Sequence, residues 1–285
     1  MPELPEVEVL VRHLRPLLRN KTIRVVEVCR AKVIAPASAR AFAQALLGAK
    51  FVAVARRAKY LVFDLRTARP PDKLCLLGHL GMTGRMYLLP AKAALPKHAA
   101  VVLGLGRANF VFEDTRYFGR LTLDCGALKH LGPEPLETQS APKSFVEALK
   151  RSRQPIKIKL LDQSVVAGIG NIYASEALFR ARIAPSLRSR DLTRTQASQL
   201  WRSIRAVLRE AIEGGATVPL NYAGTGRRDG LFYFGRVPGA VDYYEERLRV
   251  YDRAGRPCVR CGTAIKRRVQ AARSTYYCPR CQGRG

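Results

Sequence analysis

Two cysteine pairs near the C-terminus, Cys258-x-x-Cys261 and Cys278-x-x-Cys281, stand sixteen residues apart. That spacing fits a four-thiolate zinc site, in which each pair clamps the metal from a tight knuckle and the intervening residues form a hairpin. Four thiolates complete a tetrahedron and leave no open position for chemistry. One structural Zn2+ per chain is therefore expected on Cys258, Cys261, Cys278 and Cys281. From Arg247 to the end the chain carries eleven Lys/Arg against one acid, Asp252. A zinc hairpin this basic is expected to lie on a polyanion.

The same bias runs through the chain. Its 285 residues carry 50 basic and 22 acidic side chains, a formal net charge of +28. The basic residues are spread along the sequence, which points to nucleic acid as partner. There is no basic n-region followed by an apolar h-region, and no run of about 18 apolar residues. A cytoplasmic chain that contacts no membrane is expected, most simply a monomer. Seven cysteines in such a chain favour metal binding over a disulfide framework. Cys29, Cys75 and Cys125 are expected in the core.

Apolar Val7, Leu10, Val11, Leu14, Leu17 and Leu18 follow helical spacing after Pro5 and Glu6. A β-branched run, Thr22 to Cys29, reads as a strand, and a short helix from Ala39 to Leu47 ends at Gly48. Seven short strand-like runs follow, from Phe51 to Asp124, separated by Gly- and Pro-rich turns. This half predicts a β-sandwich with a leading helix. The Gly-Pro-Glu-Pro segment at 132–135 breaks the pattern, and helical spacing takes over: Phe145–Lys150, Ile156–Asp162, a helix with Asn171 as N-cap, and Thr193–Glu213. Gly168 and Gly170 before Asn171 predict an anion site for one DNA phosphate, with Lys157 and Lys159 nearby. Residues 216–247 show no regular pattern and include the basic stretch Gly224 to Gly230. The fold class is thus α+β, with expected domains at 1–132 (N-terminal β-sandwich), 133–247 (helical) and 248–285 (zinc hairpin).

The first residues, Met1-Pro2-Glu3-Leu4-Pro5-Glu6, carry candidate chemistry. Met1 is expected to be trimmed, because Pro2 is small. A free secondary amine would result, with a reference pKa of about 7.7–8.0 against about 10.4 for lysine. Such an amine can attack an aldehyde-like carbon to give an iminium, and Glu3 beside it could move protons. An ordinary helix start would look the same.

With these pieces assembled, the chain resembles the formamidopyrimidine-DNA glycosylases. The likeness runs end to end: Pro2 to Glu8, Lys59-Tyr60, His79-Leu80-Gly81-Met82, Asp114 to Gly119, Leu131 to Leu136, Gly170 to Glu176, and Arg273 to Cys278. It implies a β-sandwich joined to a helix–two-turns–helix domain and a zinc finger, with damaged double-stranded DNA in the cleft between them. It also implies a bifunctional enzyme that removes oxidised purines and cuts the strand by β,δ-elimination. By that likeness Pro2 is the nucleophile at C1′ and Glu3 the acid/base that opens the sugar. Lys59 and Arg273 hold phosphates around a flipped nucleotide, and Asn171 clamps another. Met82, Arg116 and Phe118 fill the gap in the duplex, and His79 and Lys157 join the DNA-contacting set. Two readings remain beside it: an endonuclease VIII-like pyrimidine glycosylase, which typically has glycine where Leu4 stands, and a non-catalytic damaged-DNA binder. The stretch Leu220 to Glu246 is longer than the family's usual lesion-capping loop, so no lesion contact is assigned there.

Overall fold

A computed structural model describes residues 2–68, 70, 72–214 and 248–283. The irregular stretch 216–247 lies outside them. The described residues form two compact units: Pro2 with Glu6–Lys129, and Glu3–Pro5 with His130 to Gly214 and 248–283.

Helix α1 (Leu4–Leu18) leads the chain. Val7, Leu10, Val11, Leu14 and Leu18 are all at most 1 % exposed, whereas Leu17, at the edge of the stripe, is 38 % exposed. Glu8 accepts from Arg12 at 2.7 Å and from Arg56 at 2.9 Å, which ties the helix to the sheet beneath. Strand β1 (Val25–Val28) and helix α2 (Ala39–Leu46) follow, the helix capped by Ser38 Oγ. Then come β2 (Lys50–Arg57), β3 (Tyr60–Arg66), β4 (Lys73–His79), β5 (Gly84–Pro90), β6 (Ala99–Gly104), β7 (Ala108–Asp114) and β8 (Arg120–Thr122). They pair antiparallel into two four-stranded sheets, β1-β6-β7-β5 and β2-β3-β4-β8. Phe51 and Phe63 from one sheet meet Phe110 from the other edge-on, with ring centroids 5.6–6.3 Å apart. Such pairs add about 0.5–1.5 kcal/mol each beyond burial.

The sandwich corrects one expectation. Cys75 and Cys125 are half-buried and joined in a disulfide, and Cys29 is half-buried, so none of the three is a core thiol. β4 pairs with β8 up to Leu77↔Thr122, and the chain just beyond β8 runs on past Cys75, with the two Cα atoms 6.7 Å apart. That is within bridging reach.

The second unit holds α3 (Lys143–Lys150), α4 (Ile156–Lys159), α5 (Asn171–Ala181), α6 (Arg194–Glu213) and the hairpin β9 (Lys266–Gln270)–β10 (Arg273–Tyr277). Thr193 caps α6 in a reciprocal box with Gln196. Trp201 of α6 packs on Phe145 of α3 at 4.9 Å. Phe179 of α5 shares a small core with Val250, Ile265, Tyr276 and the cysteines of the hairpin.

Candidate active site

The four cysteines converge as their spacing requires. Their sulfurs lie within 4.8 Å of one another, Cys258 to Cys281 at 3.8 Å and Cys261 to Cys278 at 3.5 Å. A zinc tetrahedron with bonds of about 2.3 Å has edges of about 3.8 Å, so the cluster fits one zinc ion. Backbone N–H groups of Arg260 and Cys281 point at the Cys258 and Cys278 sulfurs, at 3.4 and 3.3 Å. The hairpin beyond turns on Ala271 and Ala272, both left-handed with φ of 47° and 58°. This is the two-residue geometry that a twisted hairpin favours. It sets exposed Arg273 at the first position of β10.

The start of α5 is built around a buried carboxylate. The last four carbonyls and first four N–H groups of a helix lack partners within it, and its N-terminus carries partial positive charge. Here Glu3 fills that place. Its carboxylate accepts from Gly170 at 2.7 Å, Ile172 at 2.8 Å and Tyr173 at 3.3 Å, and Glu3 is only 2 % exposed. The anion expected at this turn as a DNA phosphate is therefore the chain's own Glu3. A Cβ on Gly170 would stand 2.4 Å from Glu3 Cδ, and one on Gly168 2.6 Å from Leu4 Cβ. These glycines admit residues 3 and 4. Gly170, not Asn171, is the N-cap, and Asn171 is the first helical residue.

Lys157, expected to face DNA, is fully buried instead. α4 is a single turn, so the Ile-Lys-Ile-Lys alternation does not send both lysines to solvent. Lys157 Nζ donates to Asn171 Oδ1 at 2.5 Å and to Thr275 Oγ1 at 3.3 Å. Burial lowers its pKa to about 8; the Glu3 carboxylate pulls it up and the Arg273 guanidinium down. Asn171 Nδ2 in turn donates to the Ser274 carbonyl at 2.9 Å. Asn171 thus joins α5 to β10, with Lys157 beneath it. Tyr251 also reaches Asn171 by a side-chain hydrogen bond, while burial raises the Tyr251 pKa. Glu176, 4 % exposed, accepts from the backbone N–H groups of Arg249, Val250 and Tyr251 at 2.8–3.0 Å. Tyr251, Thr275 and Glu176 were missed by sequence reasoning, since nothing local marks contacts across 73 or more residues.

In the first unit, Pro2 is buried. Lys59, 7 % exposed, sits in the two-residue turn between β2 and β3, after Ala58 with φ of 52°. His79 ends β4, tilted against Tyr60 at 5.0 Å. Its Nδ1 accepts from the Gly81 N–H at 3.1 Å, which leaves Nε2 as the protonated nitrogen. Burial, with the Lys59 and Arg120 charges, lowers its pKa to about 4. His79 is thus neutral at neutral pH, and its Nε2–H is a donor that carries no charge.

Met82 and Phe118 are not core: they are 40 % and 49 % exposed. Each lies on a turn that crosses from one sheet to the other, residues 79–84 between β4 and β5 and 114–119 between β7 and β8. Arg116 lies between them, its Nη1 3.4 Å from Met82 Sδ and its guanidinium 4.8 Å over the Phe118 ring. Tyr117 takes a left-handed φ of 53°, a conformation costing about 1–2 kcal/mol. Asp114, fully buried, binds both turns: it accepts from Thr83 Oγ1 at 2.5 Å, Arg116 N–H at 3.1 Å and Gly119 N–H at 2.7 Å.

Three family models match the chain. The formamidopyrimidine-DNA glycosylase N-terminal domain matches residues 1–121, the H2TH domain of the same enzymes residues 131–221, and the zinc finger found in FPG and IleRS residues 255–283. A formamidopyrimidine-DNA glycosylase of Thermus thermophilus is 43 % identical over 294 residues, covering 100 % of both chains. That of Carboxydothermus hydrogenoformans is 38 % identical, covering 99 % of this chain and 100 % of the other. The solved complex of Lactococcus lactis Fpg with abasic-site DNA is similar with a TM-score of 0.84 at 30 % identity, covering 99 % of this chain and 100 % of that one. The wild-type protein of that organism with N7-benzyl-Fapy-dG DNA gives 0.85, at the same identity and coverage. Full-length identity of this order means that the chain belongs to the formamidopyrimidine-DNA glycosylase family.

Proposed function

We propose that this protein excises oxidised purines, 8-oxoguanine and formamidopyrimidines, from duplex DNA and then cuts the strand. The observation that carries the reading is Glu3, adjacent to Pro2 in the chain, buried and held by three backbone N–H groups at the start of α5. A carboxyl fixed this firmly next to a potential N-terminal amine suits proton transfer at a single point. Family membership and the relatives' names support the glycosylase; the lyase step and the residue roles are this proposal's own.

Once Met1 is removed, the Pro2 nitrogen attacks C1′ of the damaged nucleotide and the base departs. Glu3 delivers the proton that opens the sugar. The resulting iminium acidifies the C2′ hydrogen, so the 3′ phosphate is eliminated and then the 5′ phosphate. Lys59 and Arg273 hold phosphates around the extruded nucleotide, Asn171 holds another, and His79 donates from Nε2. Met82 and Phe118 fill the hole left in the stack. Arg116 reads the orphaned base: a guanidinium offers only donors, which suit the adjacent O2 and N3 acceptors of cytosine. Adenine presents one acceptor beside a donor. One buried donor left unpaired costs about 1–3 kcal/mol, roughly a 5- to 150-fold preference for cytosine.

The zinc hairpin contributes DNA binding, not chemistry. No helix among the described residues is long and apolar enough to cross a membrane. We place the protein's action as a monomer on DNA in the cytoplasm, with modules at 1–132, 133–247 and 248–285. The test is single-turnover excision from a duplex with one 8-oxoguanine, with analysis of the ends produced. Wild type should leave phosphates on both sides of a one-nucleotide gap. Glu3→Gln should bind the duplex and excise slowly. Full activity in Pro2→Gly would refute the nucleophile.

A further inference from the structure

From the two turns that carry Met82, Arg116 and Phe118 we infer that Asp114 is the positioning residue for opposite-base discrimination. This inference rests on the proposed reading by Arg116 and adds the group that aims it. The turns lie side by side and interlock. A Cβ on Gly81 would stand 2.6 Å from the Gly119 nitrogen and 2.7 Å from the Phe118 carbonyl carbon, so the two backbones touch. A Cβ on Gly119 would stand 2.6 Å from the Phe112 ring and 2.8 Å from the His79 carbonyl oxygen. The strands behind them are paired too, with Gly84 opposite Asp114 and His79 opposite Arg120.

At the centre of this contact stands the fully buried Asp114. One oxygen receives the Thr83 hydroxyl from the first turn and the Arg116 N–H from the second; the other receives the Gly119 N–H. Those bonds bracket Tyr117, whose left-handed backbone sets the directions of Arg116 and Phe118 on either side. Thr83 adjoins Met82. One carboxylate therefore fixes three side chains on two turns as a single reading head, without itself being exposed to DNA. An asparagine of equal shape supplies one acceptor where the carboxylate supplies two, and turns an amide donor towards a backbone N–H.

The experiment compares single-turnover excision of 8-oxoguanine opposite cytosine and opposite adenine in wild type, Arg116→Ala, Asp114→Asn and the double variant. The inference expects Asp114→Asn to lower the cytosine-to-adenine ratio to within about threefold of the Arg116→Ala ratio. It expects the double variant to match Arg116→Ala, because residues acting through one another are non-additive. Thr83→Val, which removes a single hydroxyl, should lower the ratio partway, and it carries the test alone if Asp114→Asn does not fold. A purely structural Asp114 would slow both duplexes alike and keep the wild-type ratio; that result overturns the inference. If Arg116→Ala itself keeps the wild-type ratio, the reading by Arg116 fails first and the inference falls with it.

Discussion

Lys157 gives a prediction whose sign and size follow from its surroundings. Its pKa in the fold is about 8, against an ordinary 10.5. The unfolded chain therefore holds this proton more tightly than the folded one. Below about pH 8 both states are charged, and burial disfavours the charged form by on the order of 3 kcal/mol. Its bonds to Asn171 and Thr275, about 1.5–3 kcal/mol each for a charged donor, offset that cost. Lys157→Met should thus leave stability near neutral pH within about 2 kcal/mol of wild type. As pH rises through 8, the folded state loses the proton first, and wild type gains on the variant. The gain from about pH 7 is on the order of 1 kcal/mol at about pH 9 and about 2–3 kcal/mol at about pH 10. Urea unfolding followed by Trp201 fluorescence reads it, since Trp201 is the chain's one tryptophan and lies in the same unit. Parallel pH profiles for the two proteins would refute the buried-charge account. The variant should also bind lesion DNA more weakly, because Asn171 loses its support.

Three further outcomes follow. Metal analysis should find about one zinc per chain, and Cys258→Ser or Cys278→Ser should loosen the hairpin, misplace Arg273 and weaken DNA binding; a zinc-free preparation with full affinity would contradict this. The logarithm of DNA affinity should fall with log salt, and Arg273→Ala should make the slope shallower by about one unit, whereas Lys157→Met should leave it unchanged because Lys157 is buried; an equal change in both would place Lys157 on a phosphate after all. The Cys75–Cys125 bridge closes a segment with a sequence separation of 50, worth up to about 4 kcal/mol of denatured-state entropy. Thiol titration of the unfolded, metal-free, unreduced protein should count five thiols, and reductant should lower the melting temperature of the first unit; seven reactive thiols would remove the bridge.

What the sequence made legible was local. Cysteine spacing foretold the zinc cluster, and short strand-like runs between Gly- and Pro-rich turns foretold the strands of the sandwich. Helical spacing over 193–213 foretold α6. What stayed hidden depends on residues far apart in the chain. Glu3 meets Gly170 across 167 positions and displaces the phosphate expected there. Thr83 meets Asp114 across 31, and Cys75 meets Cys125 across 50. No period or propensity encodes such meetings. Lys157 misled for a related reason: a basic residue in a polar-apolar alternation looks solvated until a partner such as Asn171 is placed over it.

The central claim is that catalysis runs through the amine of Pro2. Borohydride reduction during reaction with an 8-oxoguanine duplex tests it most directly, followed by peptide mapping of the trapped complex by mass spectrometry. The account predicts one covalent adduct on the peptide that begins with Pro2, and no adduct in a protein that retains Met1. An adduct on a lysine peptide, or trapping that persists with Met1 in place, would contradict it.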